Sequence, residues 1–251
     1  MSNLSDIGFP VQNEQDVNVL ITETIKYVES IRCPRGFYLR FSDSSGAEIY
    51  LQGNVEQELI GFNPHFAGKS RIKVGLIKLI ERDSSELDGG FQAWANPLDE
   101  TAESGEYQFV FDVPEFRLND GLDFPLIQEI QLTAFASNDF KVFNNEAAFY
   151  YGQDAETQMS AKSFFSSGLF LTTDSLIPVE SARPISIISG EIVEFELKTN
   201  ELSGEKFYRF LIDTLGGEID VVTDVKLVPN EPKIGGIVSG QFWLSGKLIS
   251  D

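Results

Sequence analysis

Two glutamates are the first residues whose chemistry invites a catalytic interpretation. Glu48 and Glu218 each follow a turn-like segment, five residues after Asp43 and Asp213 respectively. Such pairs of carboxyl groups are the groups that cleave glycosidic bonds, but the separation they need is set by a folded cleft. The sequence therefore leaves Glu48 and Glu218 as candidates for a carboxylate-dependent hydrolase that acts on carbohydrate.

His65 is the only histidine of the chain. Any nucleophilic system that needs an imidazole base would have to use it. It lies between Gly61 and Gly68 in a segment that is typical of a loop, which favours an ordinary surface position over a catalytic one. A single histidine also excludes a metal cage built from several histidines within one chain.

Asp120 and Asp123 flank Gly121 and offer oxygen ligands of the kind that calcium prefers. The segment lacks the twelve-residue spacing and the terminal glutamate of a calcium-binding EF-hand loop. A polar turn is the favoured interpretation, and calcium-supported carbohydrate binding stays open as an alternative. Glycine-rich loops with the spacing needed for phosphates or dinucleotides are absent, so we expect no cofactor.

The two tryptophans occur in similar surroundings. Trp94 and Trp243 each lie shortly after a glycine in an aromatic stretch. An indole ring can stack on a sugar or another planar ligand, and it can equally fill the end of a β structure. Trp94 and Trp243 are therefore the candidate ligand-binding residues.

Charge and cysteine content restrict the partners and the compartment. The formal net charge of −20 disfavours nucleic acid and anionic membrane surfaces, because both select clustered lysine and arginine. Cys33 is the only cysteine, so no disulfide can form within the chain. The N-terminal residues lack the pattern of a signal peptide, and no apolar run is long enough to span a membrane. We therefore expect a cytoplasmic protein.

An internal repeat dominates the organisation of the chain. Residues 22–52 resemble residues 192–222 at a constant offset of 170 positions. Each copy predicts a strand, a second strand, a tight turn and a third strand. Asp43 and Asp213 would occupy the first position of a type I turn, a position that favours aspartate.

Alternation in the third strand of each copy predicts which side chains face the core. The inward residues are Ile49 and Leu51 in the first copy and Ile219 and Val221 in the second. Glu48 and Glu218 are expected to face solvent. Between the copies, residues 144–165 predict a helix that is interrupted at Gly152, with Asn145 and Asp154 as candidate caps.

These patterns predict an all-β protein with two related antiparallel β lobes that arose by internal duplication. The lobes would span residues 10–115 and 166–251, joined by a connecting segment, residues 116–165, that carries a short helical insertion. The favoured function is a non-enzymatic intracellular module for binding or assembly. It would recognise a protein or a small ligand at a β surface or in the groove between the lobes, and a homo-oligomer is compatible with this role.

Overall fold

The computed structural model describes residues 3–83, 85–153, 158–172, 175–176 and 181–249. These residues include two α-helices, α1 (Glu14–Thr24) and α2 (Glu146–Tyr151). The strands are β1 (Glu29–Cys33), β2 (Gly36–Ser42), β3 (Ala47–Gly53), β4 (Leu59–Phe66), β5 (Ile72–Arg82), β6 (Ser85–Ala95), β7 (Gln108–Asp112), β8 (Leu126–Ala136), β9 (Lys141–Phe143), β10 (Ser163–Phe165), β11 (Phe170–Thr172), β12 (Ser175–Leu176), β13 (Ile185–Thr199), β14 (Lys206–Thr214), β15 (Gly217–Asp224) and β16 (Ile237–Leu248). The predicted all-β fold is confirmed.

Strands β1 to β4 form an antiparallel sheet in chain order, and ten other strands form a second sheet in the order β10-β13-β14-β15-β8-β5-β6-β7-β16-β9. A small third sheet pairs β11 with β12. The last long strand, β16, also pairs with β8 and β13. These pairings close two rings of five strands, which share the β8–β16 pair and leave the interior of the larger sheet filled by side chains.

One apolar core runs through both rings. It contains buried side chains from every strand from β5 to β8 and from β13 to β16, among them Phe91, Leu132, Phe210 and Leu244. Strands from all three predicted ranges, 10–115, 116–165 and 166–251, therefore share one sheet. The division into two lobes stays a prediction, and its limits do not coincide with a sheet boundary.

The two repeated segments each contain a hairpin, but the hairpins differ in register. In the first, β2 and β3 pair Phe41 with Ile49, and Gly46 donates its N–H to the Asp43 carbonyl at 2.9 Å. Gly46 has a φ of 96°, a conformation that glycine adopts without strain, so the predicted turn at Asp43 is confirmed.

The second hairpin turns one residue later. Strands β14 and β15 pair Ile212 with Ile219, and Thr214 with Gly217. The expectation that Asp213 begins a turn is wrong, because Asp213 lies within β14 opposite Glu218 and forms an ion pair with Lys162. The internal duplication is not confirmed by this comparison and remains a prediction.

The prediction that the first copy, residues 22–52, begins with a strand is also wrong. Residues 22–24 belong to α1 and residues 25–27 to a short 3-10 helix, whereas the matching residues 192–198 lie in β13 as predicted. The helix begins with a capping box in which Asn13 Oδ1 accepts from Asp16 N–H at 3.1 Å and the Asp16 carboxylate accepts from Asn13 N–H at 3.3 Å. These bonds satisfy backbone donors at the start of the helix. They outweigh the preference for strand of the β-branched residues further along the chain.

The helical insertion is shorter than predicted. Asn145 caps α2 as expected, accepting the Ala148 N–H at 2.8 Å, and the helix ends at Gly152. Residues 163–165 form β10, so the helix does not continue to that point. The second candidate cap, Asp154, lies outside the described residues. No helix in the described part of the chain is long and apolar enough to cross a membrane.

The N-terminal segment is held against the larger sheet by a buried carboxyl group. Asp6 is 4% exposed and its Oδ1 accepts the Asp224 N–H at 3.0 Å. Burial raises the pKa of Asp6 to about 8; the Asp224 N–H bond opposes this rise, and the Asp224 charge adds to it. Leu4, Ile7 and Phe9 bury their side chains on either side of this anchor.

We expect Asp6→Asn to stabilise the protein increasingly as the pH rises. The folded pKa lies above the unfolded value, so wild type loses stability between about pH 4 and pH 8, while an asparagine has no proton to lose. The advantage of the variant in unfolding free energy should grow by about 2 kcal/mol between pH 6 and pH 8, measured by urea denaturation. Asp123→Asn, which removes an exposed carboxyl group, is the matched control. A constant difference between Asp6→Asn and wild type at both pH values would contradict the assignment.

Candidate functional site

The four-stranded sheet turns a polar face toward the larger sheet. Glu48, Tyr50 and Gln52 share one face of β3, because successive side chains of a strand alternate in direction. Lys247 of β16 reaches this face from the opposite sheet. Its Nζ donates to Tyr50 Oη at 2.7 Å and lies 3.7 Å from Glu48 Oε2. Polar contacts therefore join the two sheets where an apolar interface would be the common solution.

A cleft of about 300 Å³ lies between the two sheets. Strand β4 supplies part of its lining, and the rest comes from the larger sheet and the N-terminal segment. We call this site the inter-sheet cleft, and its lining residues are Asn3, Asn63, Pro64, Arg82, Asp88, Gly89, Asp112 and Trp243.

Strand topology explains how Arg82 and Asp112 meet. Strands β5 and β7 both run antiparallel to β6, so their C-terminal ends lie at the same edge of the sheet. Arg82 is the last residue of β5 and Asp112 the last of β7. Arg82 donates to Asp112 Oδ1 through Nη2 at 2.7 Å and through Nε at 3.1 Å.

Asp112 accepts hydrogen bonds on both of its carboxylate oxygens. Besides Arg82, it is bound by Trp243, whose indole N–H donates to Oδ2 at 3.0 Å. Burial raises the pKa of Asp112, the charge and hydrogen bonds of Arg82 and the Trp243 bond oppose that rise, and the charge of Asp88 adds to it. The two carboxyl groups of the cleft therefore interact electrostatically with each other.

Asp88 is oriented by amides of the four-stranded sheet. Its Oδ1 accepts from Asn63 Nδ2 at 2.7 Å and from Gln52 Nε2. These bonds connect β6 to β3 and β4, so the carboxylate both ties the two sheets together and lines the cleft. A site with an arginine, two carboxylates, an amide and an indole can bind a small molecule that carries hydroxyl or amine groups.

Only one of the two predicted tryptophans lines the cleft. Trp243 lies on β16, packs against Phe135 with ring centroids 5.0 Å apart, and directs its N–H to Asp112. Trp94 lies on β6 opposite Gly75 and Gln108 and is half-buried outside the cleft. The structure does not bring the two indoles into one site.

His65 and Glu48 do come together, in the sealed interior. His65 was expected in a surface loop, and this is wrong: it lies in β4 and has no exposed surface. Strand β4 pairs with β3 along its length, and Pro64 is tolerated because β4 is the edge strand of its sheet. Glu48 was expected to face solvent, which is also wrong, since Lys247 and the opposite sheet cover it.

The surroundings of His65 contain a hydroxyl and a carboxylate, the partners of a nucleophilic system. His65 Nδ1 lies 2.9 Å from Ser245 Oγ, and Glu48 interacts electrostatically with the imidazole. Ser245 and His65 both have no exposed surface, so no substrate can reach the hydroxyl. The residue types of hydrolysis are present, but the accessibility is not.

Burial acts on the two ionisable groups in opposite directions. It lowers the pKa of His65 to about 4, because the charged imidazolium is disfavoured there despite the nearby Glu48. Burial alone would raise the pKa of Glu48, but His65, Lys247, Tyr50 and Ser42 together hold that pKa below its usual value. At neutral pH the interior therefore contains a neutral imidazole and an ionised, hydrogen-bonded carboxylate.

The remaining predicted site residues lie apart from the cleft. Glu218 is exposed at the start of β15, and Asp123 is exposed in the turn before β8. Asp120 lies 3.3 Å from Arg117 Nη1 and forms an ion pair with it. Within the described residues, no group of three or more histidine, cysteine or acidic side chains could hold a metal ion.

A fully buried ion pair joins Arg209 and Asp220 of the second hairpin, on β14 and β15. Asp220 Oδ1 lies 2.7 Å from Arg209 Nε, and Asp220 Oδ2 accepts the Ser70 N–H at 2.8 Å. A Cβ atom on Gly68 would lie 1.9 Å from Asp220 Oδ2, so only glycine leaves room for this carboxylate. Arg209 also donates to Glu194 at 2.8 Å, which carries the chain of contacts to the surface.

Sequence reasoning missed seven of the eight lining residues of the cleft, among them the polar residues Asn63, Arg82, Asp88 and Asp112. A weak signal existed for two of them. Arg82 and Asp112 each end an alternating strand, and charged residues at the ends of neighbouring strands can meet. Finding the pair would have required knowledge that β5 and β7 flank β6.

We expect His65→Gln to flatten the acid sensitivity of the protein. The folded pKa of about 4 lies below the unfolded reference of 6.5, so wild type loses stability as the pH falls from 6.5. Between pH 6.5 and pH 5 this loss is about 2 kcal/mol, and glutamine does not titrate. Urea denaturation at both pH values measures the difference, with Ser245→Ala as a control that keeps the imidazole. Parallel losses in wild type and His65→Gln would contradict the assignment.

Comparisons of the chain with family models, curated proteins and solved structures found no match. The chemistry of the inter-sheet cleft is therefore the observation on which a function can be based.

Proposed function

We propose that the protein is a binding protein whose small ligand occupies the inter-sheet cleft. The observation that carries this proposal is the convergence of Trp243, Asp88 and Asp112 on one concave site between two sheets. Ligand sites are concave and combine apolar or aromatic walls with a few placed polar groups, and volumes from about 300 Å³ are typical. The sequence led us to expect recognition at a β surface or in the groove between residues 10–115 and 166–251, whereas the proposed cleft lies between the two sheets.

The polar groups of the cleft favour a small polyhydroxylated ligand, such as a monosaccharide. Carboxylates accept hydrogen bonds from hydroxyl groups, while Asn63 and Arg82 offer donors. The lining carries one positive and two negative side chains, which disfavours an anionic ligand. An indole beside these groups provides the apolar surface that the C–H face of a sugar contacts.

Binding is favoured over catalysis because the carboxylate nearest to Trp243 is already engaged. A general acid has to hold a proton and release it to the leaving group. Asp112 accepts from Arg82 on Oδ1 and from Trp243 on Oδ2, and N–H donors on both oxygens stabilise the charged form. The other candidate base, His65, is sealed from solvent.

A carboxylate-dependent glycoside hydrolase is the second candidate, and one observation favours it. Two carboxyl groups line a cleft beside Trp243, and burial together with the charge of Asp88 raises the pKa of Asp112. Groups with a perturbed pKa in a cleft are enriched at catalytic sites. In this reading Asp112 would protonate the leaving oxygen and Asp88 would assist water.

We expect Trp243→Phe to weaken sugar binding at least tenfold and Trp94→Phe to leave it unchanged. Trp243→Phe removes the N–H that orients Asp112 and reduces the aromatic surface of the cleft, whereas Trp94 lies outside it. The measurement is isothermal titration calorimetry with any sugar that raises the melting temperature in a panel of glucose, galactose, mannose and N-acetylglucosamine. Equal losses in both variants, or no sugar that binds wild type, would contradict the proposal.

Hydrolysis separates the two candidates. We expect no release of nitrophenol from a panel of nitrophenyl glycosides, because both carboxylate oxygens of Asp112 already accept hydrogen bonds from Arg82 and Trp243. If wild type is active and the activity falls at least a hundredfold in Asp112→Asn and in Asp88→Asn, the binding proposal is contradicted and the hydrolase is supported. Circular dichroism of both variants reports whether they remain folded.

A further inference from the structure

Strand β13 has an open edge along its second half. Residues 185–191 are flanked by β16, and residues 191–199 pair with β14 on the other side. Ile192 is the last residue held on the β16 side, through backbone bonds with Gly235 and Gly236. From residue 193 to residue 199, β13 has a neighbouring strand on one side only among the residues that the structure describes.

The backbone groups on this open edge can be identified from the register. Asn200 donates its N–H to the Glu205 carbonyl at 2.9 Å, so its backbone points toward β14. In an antiparallel ladder the direction of these groups alternates from residue to residue. Phe195, Leu197 and Thr199 therefore direct their N–H and C=O groups away from β14, where another strand can bind.

Apolar side chains accompany this edge. Val193 is 42% exposed and Leu197 is 49% exposed, and Leu197 lies on the same face as the half-buried Phe195. Tyr208 of β14 lies opposite Leu197 on that face. An edge strand with exposed apolar residues is a template for pairing with another chain.

We propose that a second copy of this chain adds to the open edge, with β13 pairing antiparallel to β13 of its partner about a two-fold axis at Leu197. Each Leu197 would exchange two N–H···O bonds with its symmetry mate. The two leucine side chains would meet on the apolar face, and Phe195 of one copy would lie opposite Thr199 of the other. The symmetry closes, so the assembly is a dimer and not a fibre.

The charges of β13 select this register over its neighbours. Two-fold pairing keeps directly opposed side chains on the same face, so a residue can oppose only residues an even number of positions away. An axis at Phe195 would place Glu194 against Glu196, an axis at Glu196 would oppose two glutamates, and an axis at Lys198 would oppose two lysines. Among these axes, only the one at Leu197 places Glu196 against Lys198, and the two-fold symmetry creates this pair twice. The other registers are disfavoured because like charges that are directly opposed are destabilising.

The net charge of −20 opposes association of two copies at long range. Salt screens that repulsion, with a Debye length of about 8 Å at physiological ionic strength. Most of the proposed contacts are short hydrogen bonds and apolar burial, which salt weakens little, and the two partly exposed Glu196–Lys198 pairs contribute little to affinity. We therefore expect the dissociation constant of the dimer to fall as sodium chloride is raised from 20 mM to 300 mM. An interface held mainly by complementary charge would weaken over the same range.

The first experiment measures assembly of the full chain by sedimentation equilibrium. We expect a species of twice the monomer mass for wild type in 300 mM sodium chloride, and at least a tenfold weaker association for Leu197→Lys. Leu98→Lys is the matched control, since Leu98 is an exposed leucine elsewhere and the charge change is the same. A monomeric wild type, or equal weakening by both variants, would overturn the proposal.

The second experiment tests the register directly by disulfide trapping in a Cys33→Ser background, which leaves no native thiol. Directly opposed hydrogen-bonded residues have Cα atoms about 5.5 Å apart, a separation that a disulfide spans. Leu197→Cys alone should give a covalent dimer under mild oxidation. Phe195→Cys alone should not, but a mixture of Phe195→Cys with Thr199→Cys should. If the cysteine variants form dimers of twice the monomer mass but none of these crosslinks, the interface lies elsewhere and the proposal is overturned.

Discussion

Polar groups that are buried between the two sheets require hydrogen-bond partners inside the protein, and this requirement constrains how the sheets meet, although Gln52 Oε1 and His65 Nε2 have no such partner among the described residues. An unpaired buried polar group costs stability, and an unpaired buried charge costs more. Tyr50 and Glu48 meet this requirement through Lys247 of the opposite sheet. Asp88 meets it through Asn63 and Gln52. Because the donors and acceptors come from different sheets, sliding one sheet over the other would leave several groups unpaired at once.

The same constraint separates an accessible site from a sealed one. His65 of β4 and Ser245 of β16 are fully buried between the sheets, and the imidazole is kept neutral by burial. Asp112 and Trp243 line the cleft between the same two sheets, where a polar ligand can bind. Residue types alone would have favoured the histidine as the reactive centre. Accessibility reverses that order, and the cleft becomes the candidate site although it contains no histidine.

Local patterns predicted the strands well where alternation was strong. Ile49, Leu51, Ile219 and Val221 are buried as predicted. The errors occur where non-local contacts decide. The segment around His65 contains two glycines and a proline and looks like a loop, but pairing with β3 makes it a strand. Residues 22–24 have β-branched side chains, but a capping box ten residues earlier starts a helix that includes them.

The β class of the fold, the turn at Asp43 and the inward face of the hairpin strands could be predicted without coordinates, because each depends on residues close together in the chain. Trp243 could also be predicted, although not the reason for choosing it over Trp94. The burial of Glu48 and the exposure of Glu218 follow from tertiary packing, since the opposite sheet covers Glu48 and Glu218 faces solvent. Tertiary packing also brings Arg82, Asp88 and Asp112 into one cleft. These outcomes depend on burial and on pairing between residues that are far apart in the chain. The alternation of side chains along a strand does not show which element packs against that strand.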